Sequence, residues 1–461
     1  MLAKRNHELS VKQRDSGEDN SAAIKETTHV IEHISQLIYE MCVIILTVLD
    51  PADRLSSRHD KELTPIEEDG DPSSIKDYNS ELPTTWFSAG WLFAECYLYR
   101  RLRSMFARTK TLRGLDPFNA LKMQTFDESG DGVATLSRSF TAALERGEGK
   151  ELDDETLHLE FVSCLQLCLW GNATDLSLLV NMSADDIKAL QSAERGRDKV
   201  LANDTAMVWQ HLIETRPERV DIIHDNAGYE TITDWVLADF LVSMTGFVKE
   251  VHMHVKQFGW FVSDLSVFSP TSPTHTMDSS CRCSMPDDVQ ELLEAMQAPE
   301  KHFAQMPDED LAITRKLGQR WQRHFDEGRF KLAVDRDVRL DGNRDHSAGA
   351  AFWTTAYPFS AMREKAPELT EELRRSSGLV IFKGDLNYRK LCSDAWWPTT
   401  TPFVKALGPL AGEFPLLSLR TLKADVIVGL PEGKAEELDR DEPRWRWAGK
   451  HAVVSYSPRK D

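Results

Sequence analysis

An α/β fold with a mainly parallel sheet, preceded by a helical region, follows from three observations. After Arg219, short apolar runs alternate with stretches whose apolar residues recur at helical spacing. The runs are almost continuously apolar, as strands covered on both faces should be. Between about 85 and 215 apolar residues recur mostly three and four apart, which predicts helices.

Taken in order, residues 1–84 read as a divergent polar segment with one helix, over Ile31–Leu49. Within it "RLSSRHDKELTPIEEDGDPSS" has the composition of a linker or exposed loop. Residues 85–215 form a helical domain, with helices in "WFSAGWLFAECYLYRRLRSMF", Leu157–Leu167 and Met207–Ile213. Residues 216–461 carry the predicted strands "VDIIH", "KEVHMHV", "WFVSD", "LVIFKG", "LLSLRT", "DVIVGL" and "HAVVSYS". Between them lie an amphipathic helix in "ETITDWVLADFLVSM" and helical blocks at Leu311–Phe325 and Met362–Arg375. A Ser/Pro/Thr-rich stretch at about 269–287 reads as a loop insertion, and its "CRC" (Cys281–Cys283) as loop rather than metal site.

Bulk properties narrow the function. The 461 residues carry a net charge of -19 with a pI near 5.3, and no basic stripe marks a nucleic-acid surface. The apolar run Met41–Leu49 is too short to span a bilayer, and it lacks the flanks of a signal peptide. The seven cysteines are scattered, as reduced thiols are. An intracellular, cytoplasmic protein with no membrane or nucleic-acid partner is expected.

The chemistry should lie where the strands end, because open parallel sheets bind ligands beyond their carboxyl ends. "VDIIH" runs into Asp225 and Asn226, "WFVSD" ends in Asp264, and "LVIFKG" runs into Asp385 and Asn387. Carboxylate and amide oxygens suit a hard divalent cation. Lys383, Arg389, Arg420 and Lys423 are candidate contacts for phosphate oxygens. Together they point to metal-assisted phosphate ester hydrolysis. Each segment taken alone reads more readily as a helix cap or a turn than as a functional end, and it is the three together that bring the functional reading level. Gly228 and Gly384 fit sharp turns after strands. Trp396 and Trp397 read as core or site wall, and His224 as a core histidine. His252 and His254 share a strand face and read as packing rather than zinc ligands. "DESGDGVATLSR" imitates a calcium loop but ends in Arg138 where a bidentate Glu belongs, so it reads as a polar surface turn.

"HDNAGYE", "FVSD", "KGDLNYRKL" and "RTLK" together resemble the damage-control phosphatase family, in its acidic-residue-methyltransferase-like branch. "WLFAECYLYRR", "LWGNATDLSLL" and "FWTTAYPFSAM" extend the resemblance over about 85–455. It implies a helical N-terminal domain and a three-layer α/β/α domain. It also implies a divalent metal, typically Mn²⁺ with Ni²⁺, Co²⁺ or Mg²⁺ as alternatives, and hydrolysis of sugar phosphates such as fructose 1-phosphate and fructose 6-phosphate. By position, Asp225, Asn226 and Asp264 match the catalytic metal ligands, with Asp225 and Asn226 also against the substrate. Asp385, Leu386, Asn387, Tyr388 and Arg389 match a substrate-binding segment, and Lys423 the lysine of the Arg-Thr-x-Lys signature. The alternatives are an S-adenosylmethionine-dependent protein carboxyl methyltransferase, with Glu230 and Asp264 at the cofactor, and a non-catalytic sugar-phosphate sensor.

Overall fold

A computed structural model of the chain describes residues 2–16, 19–47, 61–69, 72–147, 153–171, 199–266, 287–333 and 348–460. The "CRC" segment and most of "LWGNATDLSLL" lie outside the described residues.

Helices come first: α1 (Leu2–Ser16), α2 (Ser21–Thr47), α3 (Pro72–Ser80), α4 (Trp91–Ala107), α5 (Asn119–Asp127), α6 (Gly130–Gly147) and α7 (Asp154–Trp170). Where one helix was expected in residues 1–84, the described residues form three. The expected surface turn at Asp127–Arg138 shrinks to the junction of α5 and α6, and Gly132, Val133, Ala134 and Leu136 are buried. From β1 onward strands and helices alternate: β1 (Val200–Asn203), α8 (Thr205–Thr215), β2 (Arg219–Ile223), α9 (Tyr229–Met244), β3 (Glu250–His254), α10 (Asp287–Gln297), α11 (Asp308–Asp326), β4 (Phe330–Leu332) and α12 (Ala348–Trp353). There follow α13 (Met362–Lys365), α14 (Pro367–Ser376), β5 (Leu379–Lys383), α15 (Gly384–Leu391), α16 (Phe403–Ala406), β6 (Leu416–Thr421), α17 (Lys434–Asp441) and β7 (Ala452–Ser457).

The seven strands form one sheet in the order β1-β7-β6-β5-β2-β3-β4. Every neighbouring pair is parallel except β6–β7. The fold is therefore α/β, as expected, with two differences in its strands. "WFVSD" and "DVIVGL" are not strands; β1 and β4, unforeseen, are. At the first, Phe261 and Val262 adopt φ of 43° and 65°, a left-handed pair that ends any strand. At the second, Val426, Ile427 and Val428 are buried as irregular chain. Their backbone is satisfied by side chains: Val428 N–H donates to the Tyr388 hydroxyl (3.1 Å), and the Arg420 guanidinium donates to the Val426 carbonyl.

Strand alternation divides the core into two layers. Val220, Ile222, Leu379 and Ile381 face one layer, with α6, α7, α9 and α11. Ile223, Val380 and Phe382 face the other, with Phe352–Leu373 and Phe403–Trp445. Helix α9 is buried from Tyr229 through Val242 on every side, so it is not amphipathic. It lies between the sheet and a helical layer, where Trp235 meets Trp321 edge-on at 5.4 Å. A smaller cluster joins α3 and α4 to Phe258, Trp260 and Leu386, packing the N-terminal helices against the segments that follow β3 and β5. No helix among the described residues is long and apolar enough to cross a membrane.

Candidate active site

The order in which strands are added reverses between the parallel neighbours β2 and β5: β3 and β4 extend the sheet on one side, β6 on the other. Ligand crevices form at such a point. Asp225 and Asn226 follow β2 there, and Gly384 and Asp385 follow β5.

Asp264 arrives by a different route from the one the sequence suggested. After β3 the chain turns back through the left-handed Phe261–Val262 pair. It then lies along the chain leaving β2: Ala227 N–H donates to the Ser263 carbonyl (2.7 Å) and Leu265 N–H to the Asp225 carbonyl (2.8 Å). Asn226 and Asp264 form an isolated antiparallel bridge. The backbone itself therefore holds Asp225, Asn226 and Asp264 together.

Burial pushes the Asp225 carboxyl well above the usual range, and the charges of Asp264 and Glu230 push it further, against Lys256 and Lys423. Burial also raises Asp264, to about 6, against Lys256 and Lys122. Two adjacent buried carboxylates, both raised, make a site that a cation would relieve. Asp264 Oδ2 accepts no hydrogen bond, and the Lys256 ammonium stands 3.4 Å away. Gly384, with φ at +80°, lies so close that a Cβ would fall 1.8 Å from Asp225 Oδ2. Only glycine lets the start of α15 approach that carboxylate. An oxygen-only set of two carboxylates and one amide fits a hard divalent ion. Among the described residues no trio of His, Cys, Asp and Glu is arranged to hold a metal.

Around these three, the expected phosphate cations separate. Lys423 follows β6, is exposed, and is near enough to Asp225 to lower its pKa. Lys383, Arg389 and Arg420 are committed elsewhere. Lys383 is buried against Asp234 (2.6 Å) and Glu230 (3.3 Å). Arg389 is clasped by Asp394 (2.9 Å) and Glu95 (2.8 Å). Arg420, fully buried, donates to Asp385 Oδ1 (2.7 Å). Asp385 also accepts from the Lys423 N–H (3.1 Å), which sets its half-buried carboxylate at the rim. Of the rest of its segment, Leu386 is core and Tyr388 is core with Arg420 over its ring at 4.3 Å. Asn387 Nδ2 donates to the carbonyl of Lys383 (2.6 Å) and toward that of His224 (3.3 Å), tying α15 to β2.

His224 is fully buried, with Nδ1 2.9 Å from Asp234 Oδ2. His254 stands 2.8 Å from Asp221. Trp397 is half-buried and donates to the Cys392 carbonyl, but Trp396 is 95 % exposed and so is no core residue. Two cations at the site escaped the sequence reading. Lys256 ends β3 as Asp225 ends β2, so the strand-end rule could have found it. Lys122, on α5, bonds Asp116, Asp288 and Ser266, and nothing in its local sequence marks it. A cavity of about 800 Å³ lies at the opposite rim, between Arg219, Lys249, Arg375 and Arg459. Arg219 and Lys249 are neutralised there by Asp221, Glu372 and Glu218.

Comparison with known proteins finds relatives over most of the chain. A protein of Rattus norvegicus named damage-control phosphatase ARMT1 is 34% identical over 382 residues, covering 80% of this chain and 75% of its own. The protein of that name from Mus musculus is 35% identical over 381 residues, with 80% and 75% covered. The one from Homo sapiens is 32% identical over 385, with 82% and 76% covered. A solved DUF89 family protein from Pyrococcus horikoshii aligns over 79% of this chain and 82% of its own, at 16% identity and a TM-score of 0.36. The damage-control phosphatase ARMT1-like domain matches residues 12–268 and 284–438, so the match begins well before the residue 85 at which the sequence resemblance was expected to start. This chain belongs to the ARMT1-like damage-control phosphatase family.

Proposed function

We propose that this phosphatase hydrolyses small sugar phosphates, fructose 1-phosphate and fructose 6-phosphate among them, with a divalent metal, Mn²⁺ foremost, held by Asp225, Asn226 and Asp264. One observation carries the reading: two buried carboxylates and an amide meet at the β2/β5 crevice with Gly384 against them and Lys423 beside them. When bound, the ion polarises a phosphate oxygen and lowers the pKa of a coordinated water.

The chain's own groups do the rest. Lys423 holds phosphate oxygens and offsets charge that builds in the transition state. Gly384 brings the first turn of α15 against the site, where its N–H groups favour an anion. Asp385, set by Arg420 and the Lys423 N–H, accepts from a sugar hydroxyl. Water adds to phosphorus, the bond from phosphorus to the sugar oxygen breaks, and that oxygen leaves with a proton. Arg389 acts at a distance, as a clasp on α15. The methyl-transfer alternative places Glu230 at a cofactor, but Glu230 is buried and both its oxygens are taken, by Asn226 and Lys383. The free thiols of Cys96, Cys164, Cys168 and Cys392 suit a reducing compartment such as the cytoplasm.

The test is phosphate release from the two fructose phosphates by metal-stripped protein, before and after Mn²⁺ is added, with Asp264→Ala alongside. Release that requires both Mn²⁺ and Asp264 is the expected result. Release by stripped protein, or full activity in Asp264→Ala, would overturn the metal assignment.

A further inference from the structure

A chain of buried polar side chains runs beneath the three oxygen donors. Lys383 donates to Asp234 Oδ1 (2.6 Å), the Cys168 carbonyl (2.8 Å) and Glu230 Oε1 (3.3 Å). Asp234 also takes the Cys168 thiol on Oδ1 (2.8 Å) and faces His224 through Oδ2. The other oxygen of Glu230, Oε2, accepts from Asn226 Nδ2 (2.8 Å). Lys383, Glu230 and Asp234 are each at most 5 % exposed, so water does not compete for these bonds.

A side-chain amide can be turned over without changing its shape, exchanging a donor for an acceptor. Only its oxygen binds a hard cation. The nitrogen of Asn226 meets two carboxylate oxygens, Glu230 Oε2 at 2.8 Å and Asp225 Oδ2 at 3.1 Å. Its oxygen is thereby turned the other way, to the Ser263 hydroxyl on the strand-like segment that carries Asp264. Asp225 would itself be drawn to a cation, which leaves Glu230 as the partner able to hold the amide through metal binding.

We infer that Glu230 is a positioning residue that selects the oxygen face of Asn226 for the metal, and that Lys383, fixed by Asp234, anchors Glu230 for that task. This rests on the metal reading above. It also gives Lys383 a role in place of the phosphate contact expected from its sequence position.

The isosteric change Glu230→Gln tests it. Glutamine has one acceptor oxygen, and Lys383 requires it, so the new amide nitrogen faces Asn226 Nδ2. Two donors then oppose, and Asn226 turns over with its nitrogen toward the metal. Calorimetry on metal-stripped protein should show Mn²⁺ bound roughly 10–100-fold more weakly, the usual cost of losing an outer partner of a ligand. Adding Asn226→Asp to that variant should recover most of the loss, because a carboxylate accepts from glutamine on one side and still offers oxygen on the other. A purely structural Glu230 predicts a lower Tm of the metal-free protein with unchanged Mn²⁺ affinity and no rescue, and that result overturns the inference. Wild-type protein that takes up no Mn²⁺ would instead overturn the metal reading itself. If Glu230→Gln does not fold, hydrogen exchange of the Asn226 side-chain amide in the wild type decides. Slow exchange that Mg²⁺ leaves unchanged is expected, and fast exchange without metal overturns the assignment.

Discussion

Single residues of the same type diverge here because their partners differ. Gly384 is the sharpest case: its φ is +80° and a Cβ would overlap the Asp225 carboxylate. Gly384→Ala should cost about 1–3 kcal/mol for the left-handed backbone. It should also displace Asp225, so Mn²⁺ affinity by calorimetry should fall well beyond any change in Tm, and unchanged affinity would separate the glycine from the site. Lys423 and Arg389 make a second contrast. Lys423→Ala should lower kcat/KM for sugar phosphates at least tenfold, roughly the value of one charge-assisted contact, with little change in Tm. An unaltered kcat/KM would remove Lys423 from the site. The sequence displayed both as cations after strands. What it could not display is that Asp394 and Glu95 would claim Arg389, since Glu95 lies 294 residues away in the chain. Strand-end position is a local property and pairing is not. For that reason Asp225 and Asn226 were legible beyond β2, while the backward turn that brings in Asp264 and the burial of Lys383 and Arg420 were not.

At the scale of elements, the site depends on how α15 is held. Arg389 bonds Asp394 through Nε (3.0 Å) and Nη2 (2.9 Å), closing the turn that ends α15, where Ser393 and Asp394 adopt φ of 58° and 46°. Its remaining nitrogen reaches Glu95 on α4 (2.8 Å). One guanidinium thus joins the end of α15 to the helical N-terminal region. With Arg389 only 8% exposed and Glu95 at 30%, the clasp lies between a surface pair and a buried one. Arg389→Ala should therefore cost about 2 kcal/mol in urea unfolding. Its effect on kcat/KM should be partly restored by Arg389→Lys, which keeps the charge but loses the fork. Equal loss in both variants, with no change in stability, would make Arg389 a direct substrate contact. Elements were legible where periodicity was long: α4, α7, α11 and the strands β2, β3, β5, β6 and β7 all stand where the pattern put them. Short apolar runs misled. "DVIVGL" is as apolar as a strand, yet its backbone bonds go to the Tyr388 and Arg420 side chains and to the Thr399 and Thr401 carbonyls, a tertiary arrangement that no local pattern carries.

The molecule as a whole carries net charge -19, yet several of its carboxylates are buried with partners, and these govern its behaviour in acid. Asp239 is the clearest. On α9 and fully buried, it accepts from Arg320 through Nε (2.7 Å) and Nη2 (2.9 Å) and from Trp321 Nε1 (3.1 Å), and it lies 3.1 Å from His324 Nε2. Arg320, Trp321 and His324 sit on α11, so this carboxylate joins the central helix to the outer layer. Burial alone would raise its pKa, but the bonds from His324 and Arg320 outweigh it and bring it down to about 2. An unfolded aspartate titrates near 4, so between about 2 and 4 the unfolded chain binds more protons at this position than the folded one. Stability therefore rises with pH across that window. The contribution, about 2 kcal/mol, is fully present above pH 4 and is lost as pH falls through 2. Asp239→Asn removes the charge while keeping the shape. It should lower stability at pH 7 by about 3 kcal/mol, the cost of breaking a buried pair. The gap between wild type and variant in urea unfolding should hold from pH 7 to 5 and narrow steadily below pH 4. A gap that stays constant down to pH 2.5 would mean that Asp239 is not the ionised link between the two helices.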